Sequence, residues 1–593
     1  MSDPVDPQIP VRRQAVPVRD PRYSPRGPGS RVQASHVLVI VLFCIFVVGA
    51  ASFVVMALGA TSASPSPGPS GSQIAVAPGS VQGSLAPGQT PGPTVPAATD
   101  TPGPGETPAT PGPDGTPDPT QTPGPVADVV MPLVPVISFW ATDDSISMKE
   151  LTRAFQGQSS TYPKVIVEPG DRDAIAAALN ITLADSVENG DVEQIRQKTR
   201  DGYLGLIPAS DLTPQLRALS IGSASLVGED HLSKLSNWPL MATVKRPVAE
   251  KWDAGATWTI VAGGDMFLDR GVENTTLHKG GGVDYPFQGG TARVTGHCAC
   301  SPSQQIPGEL VPTSVRTGNK GIVRAFVQNA DLAIANLENP IPDHPSWHLS
   351  GTVFGGPPKL LGMFTYAGID WVSLANNHIL DYGADGIAQT RANLKKVGIP
   401  FTGAGKNAAQ AGEISYLKAN GLKVAMVACV GVVPGVFAGQ NKAGGLPCKD
   451  KYVVPAIQEA RQNADVVIVF AHWGNEYHRE PFPSQEPLAK DWVDAGADLV
   501  LGAHPHVYGG LQEVDGHTVI YSMGNFIFDQ YWSTATMEGA LTELTFQGTK
   551  LVQVRLHPMI MLDQSQPNFL NPATDDGKEL LKEIRAVADP MGW

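Results

Sequence analysis

From Trp258 onward the chain alternates short apolar runs with amphipathic stretches, and an Asp, Glu, Asn or His stands at or just past the end of run after run. The runs include TWTIVAGGD, DLAIANLE, DWVSLANNH, LKVAMVACV, ADVVIVFAHWG and HTVIYSMGNF; between them lie KGIVRAFVQNA, ADGIAQTRANLKKVG and PLAKDWVDAGADLVLGAHPH. Runs of about four to eight apolar residues interleaved with helices predict sheets buried by helices. ALTELTFQGTKLVQVRLHPMIM alternates around a Gly turn and predicts a β-hairpin. A four-layer α/β/β/α sandwich with mixed sheets, over residues 257–562, accommodates both features. Residues 563–593 read as a C-terminal extension.

In such sheets, side chains at the carboxyl ends of neighbouring strands converge on one crevice. Six patches are placed for this: GGDMFLDR, NLE, ANNHILDYG, AHWG, GAHPH and GNF. Their mixture of carboxylate, amide and imidazole is what a pair of divalent ions about 3.5–4 Å apart requires, with a shared oxygen ligand between them. The H-x-H spacing of His504 and His506 would put both rings on one face if the segment were a strand. His278, His344 and His348 are isolated and are left out of this set.

The N-terminal part cannot share that fold. His36 to Ala60 is an uninterrupted apolar run, long enough to cross a hydrocarbon core of ~30 Å as a helix. Arg12, Arg13, Arg19, Arg22, Arg26 and Arg31 precede it, and the positive-inside rule then predicts a single-pass membrane protein with residues 1–35 as a cytoplasmic tail and all later domains outside the cell. Residues 61–126 are dominated by Pro, Gly, Ser and Thr, too poor in large apolar side chains to offset the entropy of ordering, and predict a disordered, semi-extended stalk. A net charge of -14 without a concentrated basic face excludes a nucleic-acid partner. Of the four cysteines beyond the span, Cys429 with Cys448 is the preferred bridge, while Cys298 and Cys300 fit a disulfide or free thiols better than half of a zinc site.

Residues 127–248 predict a small α/β domain, with a helix in SISMKELTRAFQG and two strands in GYLGLIPASDLTPQLRALSI. That helix and the IPASDLTP turn resemble half of a phosphate-type periplasmic solute-binding protein; a spacer that presents the next domain fits the same residues. The 32 residues after DYPF, through SVRTGN, are rich in turn formers and read as an active-site lid or as surface decoration.

Taken in order, GDMFLDRGV, DYPF, ANLENPI, LANNHILDYG, HWGNEY, GAHPHV and YSMGNFIFDQ resemble the signature of the capsule-synthesis CapA family, associated with poly-γ-glutamate and belonging to the calcineurin-like metallophosphoesterase superfamily. The resemblance implies Asp265 on a first ion, Glu338 as the bridging carboxylate, Asn377, His472 and His504 on a second ion, and His506 returning to the first. It implies His378 as an acid or phosphate stabiliser near the leaving group. One or two divalent ions (Mn, Fe or Zn) would be the cofactor. The superfamily's first motif is Asp-x-His, whereas Met266 and Phe267 follow Asp265 here, so one ligand of the first ion is missing. Asp269 and Arg270 are the candidates to compensate, Arg270 by pairing with an anionic substrate. Asn525 is a candidate either for substrate contact or for holding a loop. The function implied is a membrane-anchored, extracellular protein of capsule biosynthesis with a metal-dependent, phosphoesterase-like site. Its partners would be the membrane, an acidic capsule or cell-wall polymer, and a membrane-bound polymer synthase. The alternative is a non-catalytic accessory that binds or tethers that polymer.

Overall fold

The strand Thr257–Met266 is buried at every position, as a strand must be when both faces of its sheet are covered. In the computed structural model, which describes residues 125–300 and 309–593, it runs through the middle of a ten-stranded mixed sheet. Leu332–Leu337 pairs with it in parallel on one edge, followed by Trp371–Ser373 and Phe401–Thr402. On the other edge the hairpin strand Glu538–Gln547 pairs with its first half, and the short parallel strand Asn525–Ile527 takes over at Asp265. A second, six-stranded sheet is ordered Ser415–Ala419, Leu422–Val430, Val466–His472, Leu499–Ala503, His517–Ile520, Leu511–Val514.

The layers follow from which side chains pack together. Trp258, Ile260 and Ile334 of the first sheet meet Met426, Ile468, Phe470 and Leu501 of the second in one buried cluster. The outer face of the first sheet, through Val261, Ala335 and Val372, packs on Val323, Phe326, Met363, Phe364, Ile387 and Leu394 of three helices. The outer face of the second, through Val427, Val469 and Val500, packs on Val453, Ile457, Ala489 and Trp492. The arrangement is thus α/β/β/α, the layering that the alternation predicts. Cys429 and Cys448 are disulfide-bonded, as are Cys298 and Cys300.

Two segments are built more firmly than the sequence suggests. The insertion after DYPF forms an antiparallel hairpin, Thr291–Cys298 with Val311–Gly318, that extends the large sheet through Thr291 and Phe569. The last residues form a helix, Asp575–Ala588, whose Leu580, Ile584 and Ala588 join the cluster between the sheets, with Trp593 against Phe139.

The small α/β domain has its own six-stranded sheet, with the long strand Val126–Ser138 paired to Leu204–Pro208, Leu216–Ala218 and Met241–Pro247. That strand begins at the last residue assigned to the stalk. The expected helix is Met148–Phe155, capped by the Ser147 side chain. The domain sits on the long hairpin: Gln553 Oε1 accepts from Ala218 N (2.9 Å) and Glu543 Oε1 from Glu229 N (2.7 Å). The tail, the apolar run 36–60 and the stalk up to residue 124 lie outside the described residues. Among the described residues no helix is long and apolar enough to cross a membrane.

Candidate metal centre

Parallel register explains why residues distant in sequence meet here. Asp265 is aligned with Asn336 on one neighbouring strand and with Asn525 on the other. The glycines before it are required by that close approach: a Cβ on Gly264 would lie 1.8 Å from Gly524 O, and Asp265 N donates to the same oxygen at 2.9 Å. Glu338 follows the end of the Leu332–Leu337 strand, and His472 is the last residue of Val466–His472 in the facing sheet. All three, Asp265, Glu338 and His472, are fully buried, and each offers a ligand atom within 4.8 Å of the others.

Asn336 ties this group together. Its Nδ2 donates to Asp265 Oδ1 (2.7 Å) and to Glu338 Oε2 (2.5 Å), with His472 Nδ1 at 3.4 Å. His472 Nε2 lies 2.7 Å from Asn377 Oδ1 and 3.6 Å from Glu338 Oε1. His504 donates its backbone N–H to Asp265 Oδ2 (3.2 Å), and its ring stands 4.8 Å from that of His472, centre to centre. His506 Nδ1 faces Asp265 Oδ2 (3.2 Å) and Asn525 Oδ1 (3.0 Å). Both oxygens can only accept, so Nδ1 carries a proton. His504 and His506 are not on a strand: it ends at Ala503, and both have positive φ, 98° and 59°. A turn in this sparsely populated region brings both rings to the centre, the kind of backbone strain that concentrates at functional sites.

The electrostatics suit a cation. Burial pushes the His504 imidazolium down to about 3 and that of His472 well below its ordinary value, with neighbouring imidazoles adding to the effect. Both rings are therefore neutral, the form that ligates metal. Burial opposes ionisation of Asp265, but the hydrogen bond and charge of His506 outweigh it and hold the carboxyl below the usual carboxylate range. Glu338 is driven well above that range by burial and then by the charge of Asp265. Glu338 Oε1 and His504 Nδ1 are buried and lack hydrogen-bond partners. Two orphaned ligand atoms beside an anion fit a divalent ion with mixed oxygen and nitrogen ligands.

The remaining candidates divide. His378 sits at the rim, its Nδ1 2.9 Å from Asp381 Oδ2 and its ring 4.3 Å from that of Phe354. Asn525 accepts from His506 Nδ1 and donates its amide to Gln530 Oε1 and Thr536 O, the contacts of a residue that holds a loop. Asp269 and Arg270 are also engaged within the protein. Asp269 accepts from Arg270 N (2.6 Å) and Gly355 N (2.9 Å). Arg270 binds Asp529 through Nε (3.1 Å) and Nη2 (2.5 Å), between the rings of Phe267 and Phe354. The position that lacks the first-motif His is filled by Phe267, stacked 4.5 Å from Phe528.

Sequence reasoning gave no role to Asn336 or Asp381, although both lie inside the singled-out patches. Alternate positions in a strand share a face, so Asn336 and Glu338 two residues apart were a usable signal. Asp381, three residues after His378 in a turn, was another.

A family model described as bacterial capsule synthesis protein PGA_cap matches residues 259–530, the stretch that contains every candidate site residue from Asp265 to Asn525. Residues 259–530 belong to that capsule-synthesis family. A PGA biosynthesis protein CapA of Bacillus subtilis is 40% identical over 225 residues, which is 37% of this chain and 59% of that protein. A capsule biosynthesis protein CapA of Bacillus anthracis is 35% identical over 248 residues, 39% of this chain and 59% of that one. A probable polyglutamine synthesis accessory protein of Mycobacterium tuberculosis is 25% identical over 302 residues, 48% and 78%. The chain thus spans about three-fifths of the length of the two Bacillus proteins. Within the capsule-synthesis domain, the candidate centre lies between the two sheets at the carboxyl ends of their strands.

Proposed function

We propose that the capsule-synthesis domain carries a divalent-metal hydrolytic centre acting on an acidic capsule or cell-wall polymer at the outer face of the membrane, beside a membrane-bound polymer synthase. The observation that carries this reading is the convergence of Asp265, Glu338, Asn377, His472 and His504, with Glu338 Oε1 and His504 Nδ1 unpartnered. Asp265, Glu338 and His506 would hold one ion, and Glu338, Asn377, His472 and His504 the other. Such ions supply charge neutralisation at substrate oxygens and an activated water at neutral pH. The protein's own part is to keep Asp265 ionised and the His472 and His504 rings neutral in a buried crevice, and to position His378. Asp381 accepts from Nδ1 of that ring, so its imidazolium form would carry a second proton on Nε2 to pass to the leaving oxygen. Anchoring through residues 36–60, N-terminus inside, would keep the domain at the site of polymer assembly.

The test is the metal content of the purified full chain together with hydrolysis of a generic phosphodiester by wild type and His504→Ala. Bound metal with turnover that is lost in the variant supports the hydrolase. Absence of bound metal sinks the metal centre.

Two observations favour a second reading, a metal-holding accessory that binds or tethers the polymer without cleaving it. Phe267 fills the place of a first-ion ligand, and Arg270 is bound to Asp529. Metal binding without turnover on a broad ester and amide panel is the result expected of that accessory.

A further inference from the structure

Metal-ligating atoms converge at a second place in the described residues, on the far end of the hairpin strand from the small domain. His297, Glu538 and Asp576 each present one ligand atom, all within 4.8 Å of one another. They come from three elements: the strand Thr291–Cys298, the first residue of Glu538–Gln547, and the first turn of the last helix, Asp575–Ala588. Asp576 Oδ2 lies 3.0 Å from His297 Nε2. Glu538 is only 4% exposed, and its Oε1 is buried without a hydrogen-bond partner.

An ionised carboxylate only accepts hydrogen bonds, so two that face each other cannot satisfy one another. A buried anion left in that state is strongly disfavoured. A positive charge, either a shared proton or a cation, has to stand between Glu538 and Asp576. Among the described residues, Arg479 is committed to Glu583 (2.5 Å) and to Tyr508 O (2.7 Å), and the His297 ring pairs with Asp576 (3.0 Å), which leaves Glu538 Oε1 unpartnered. The acidic cluster Glu168, Asp171 and Asp211 shows the contrasting case, since Arg246 Nη2 already fills it at 2.5, 2.7 and 2.8 Å. A proton would need only the two carboxylates, whereas here an imidazole nitrogen completes the third corner. One nitrogen and two carboxylate oxygens are a donor set for zinc or manganese, at ~2.1 Å from the ion. His297 retains 34% side-chain exposure, which leaves a path for entry and freedom to close on the ion.

We infer that His297, Glu538 and Asp576 form a binding site for a divalent cation of the zinc or manganese class, separate from the Asp265 centre, that pins the last helix to the Thr291–Cys298 hairpin. Because Leu580 and Ile584 of that helix belong to the cluster between the sheets, occupancy is read out as stability of the fold.

The test uses the full chain, stripped with chelator and dialysed against Zn2+ or Mn2+, in wild type and in a His504→Ala background. His297→Ala and Glu538→Gln are each expected to lose one bound ion per chain in both backgrounds, counted by elemental mass spectrometry. They also lose the rise in Tm of several degrees that the cation produces in the parents. His297→Ala alters a half-exposed side chain and keeps the fold, so it decides the matter if Glu538→Gln does not express. An unchanged metal count in His297→Ala overturns the site, as does a Glu538→Gln protein that melts higher than wild type with or without metal, the signature of a carboxyl pair sharing a proton.

Discussion

His472 Nε2 and Asn377 Oδ1 meet at 2.7 Å, a contact that joins the end of a strand in one sheet to a turn that follows a strand in the other. Neither residue has its role without the packing of the two sheets. With the ring neutral, that contact orients the imidazole and leaves its other nitrogen toward Asn336 and Asp265. His472→Ala should therefore remove about one divalent ion per chain. It should also lower any phosphodiester hydrolysis by on the order of a hundredfold or more; metal analysis and initial rates check both.

Asn336 is expected to matter most when metal is absent. Its amide is the donor that separates the buried carboxyl groups of Asp265 and Glu338. Asn336→Ala should destabilise the stripped protein by about 1–3 kcal/mol. Adding Mn2+ should recover much of that loss, because a cation can replace the missing donor. Thermal melts with and without metal measure the difference.

The seam with the small domain should be acid-sensitive. Glu543 is buried, and although burial alone would raise its pKa, His557 Nε2 at 2.9 Å and the charge of that ring bring it from 4.5 down to about 2. A depressed carboxyl stabilises the native state fully above its unfolded value and loses that contribution as pH falls from 4.5 through about 2. Stability should fall by a few kcal/mol across that window. Glu543→Gln should flatten the dependence, as read from urea midpoints at several pH values.

Arg270 and Asp529 separate a structural from a substrate role. Arg270→Met leaves a buried carboxylate unpaired and should cost about 3–5 kcal/mol. Replacing both, Arg270→Met with Asp529→Leu, should recover most of that stability. If the restored protein also keeps wild-type turnover, Arg270 is a scaffold residue; turnover lost from a stable double variant would put it on the substrate.

The bridge between Cys429 and Cys448, 19 residues apart, closes a loop beside the second sheet. Reduction, or Cys429→Ser with Cys448→Ser, should cost about 3 kcal/mol. Calorimetry with and without reductant measures it.

Much of the capsule-synthesis domain was legible from local pattern. Alternating apolar runs such as TWTIVAGGD and ADVVIVFAHWG carry their own burial, and polar residues at their ends mark the crevice edge of a sheet. The residues brought together at the centre, Asp265, Glu338, Asn377, His472, His504 and His506, are those that the resemblance of the motifs to the CapA family implies. The turn-rich insertion was not legible as a hairpin, because its strand Thr291–Cys298 is stabilised by pairing with Val311–Gly318 and by an edge contact to Phe569, not by an apolar run of its own.

What the amino-acid order determined by itself is periodicity: which segments are strands, which are helices, and which ends carry groups able to hold a cation. Only the tertiary structure decided who partners whom. Register set Asn336 against Asp265, packing closed Asp529 on Arg270, and a backbone turn past Ala503 aimed His504 and His506 inward. Those pairings join residues far apart in the chain, and their energies depend on burial and distance that no local stretch of sequence contains.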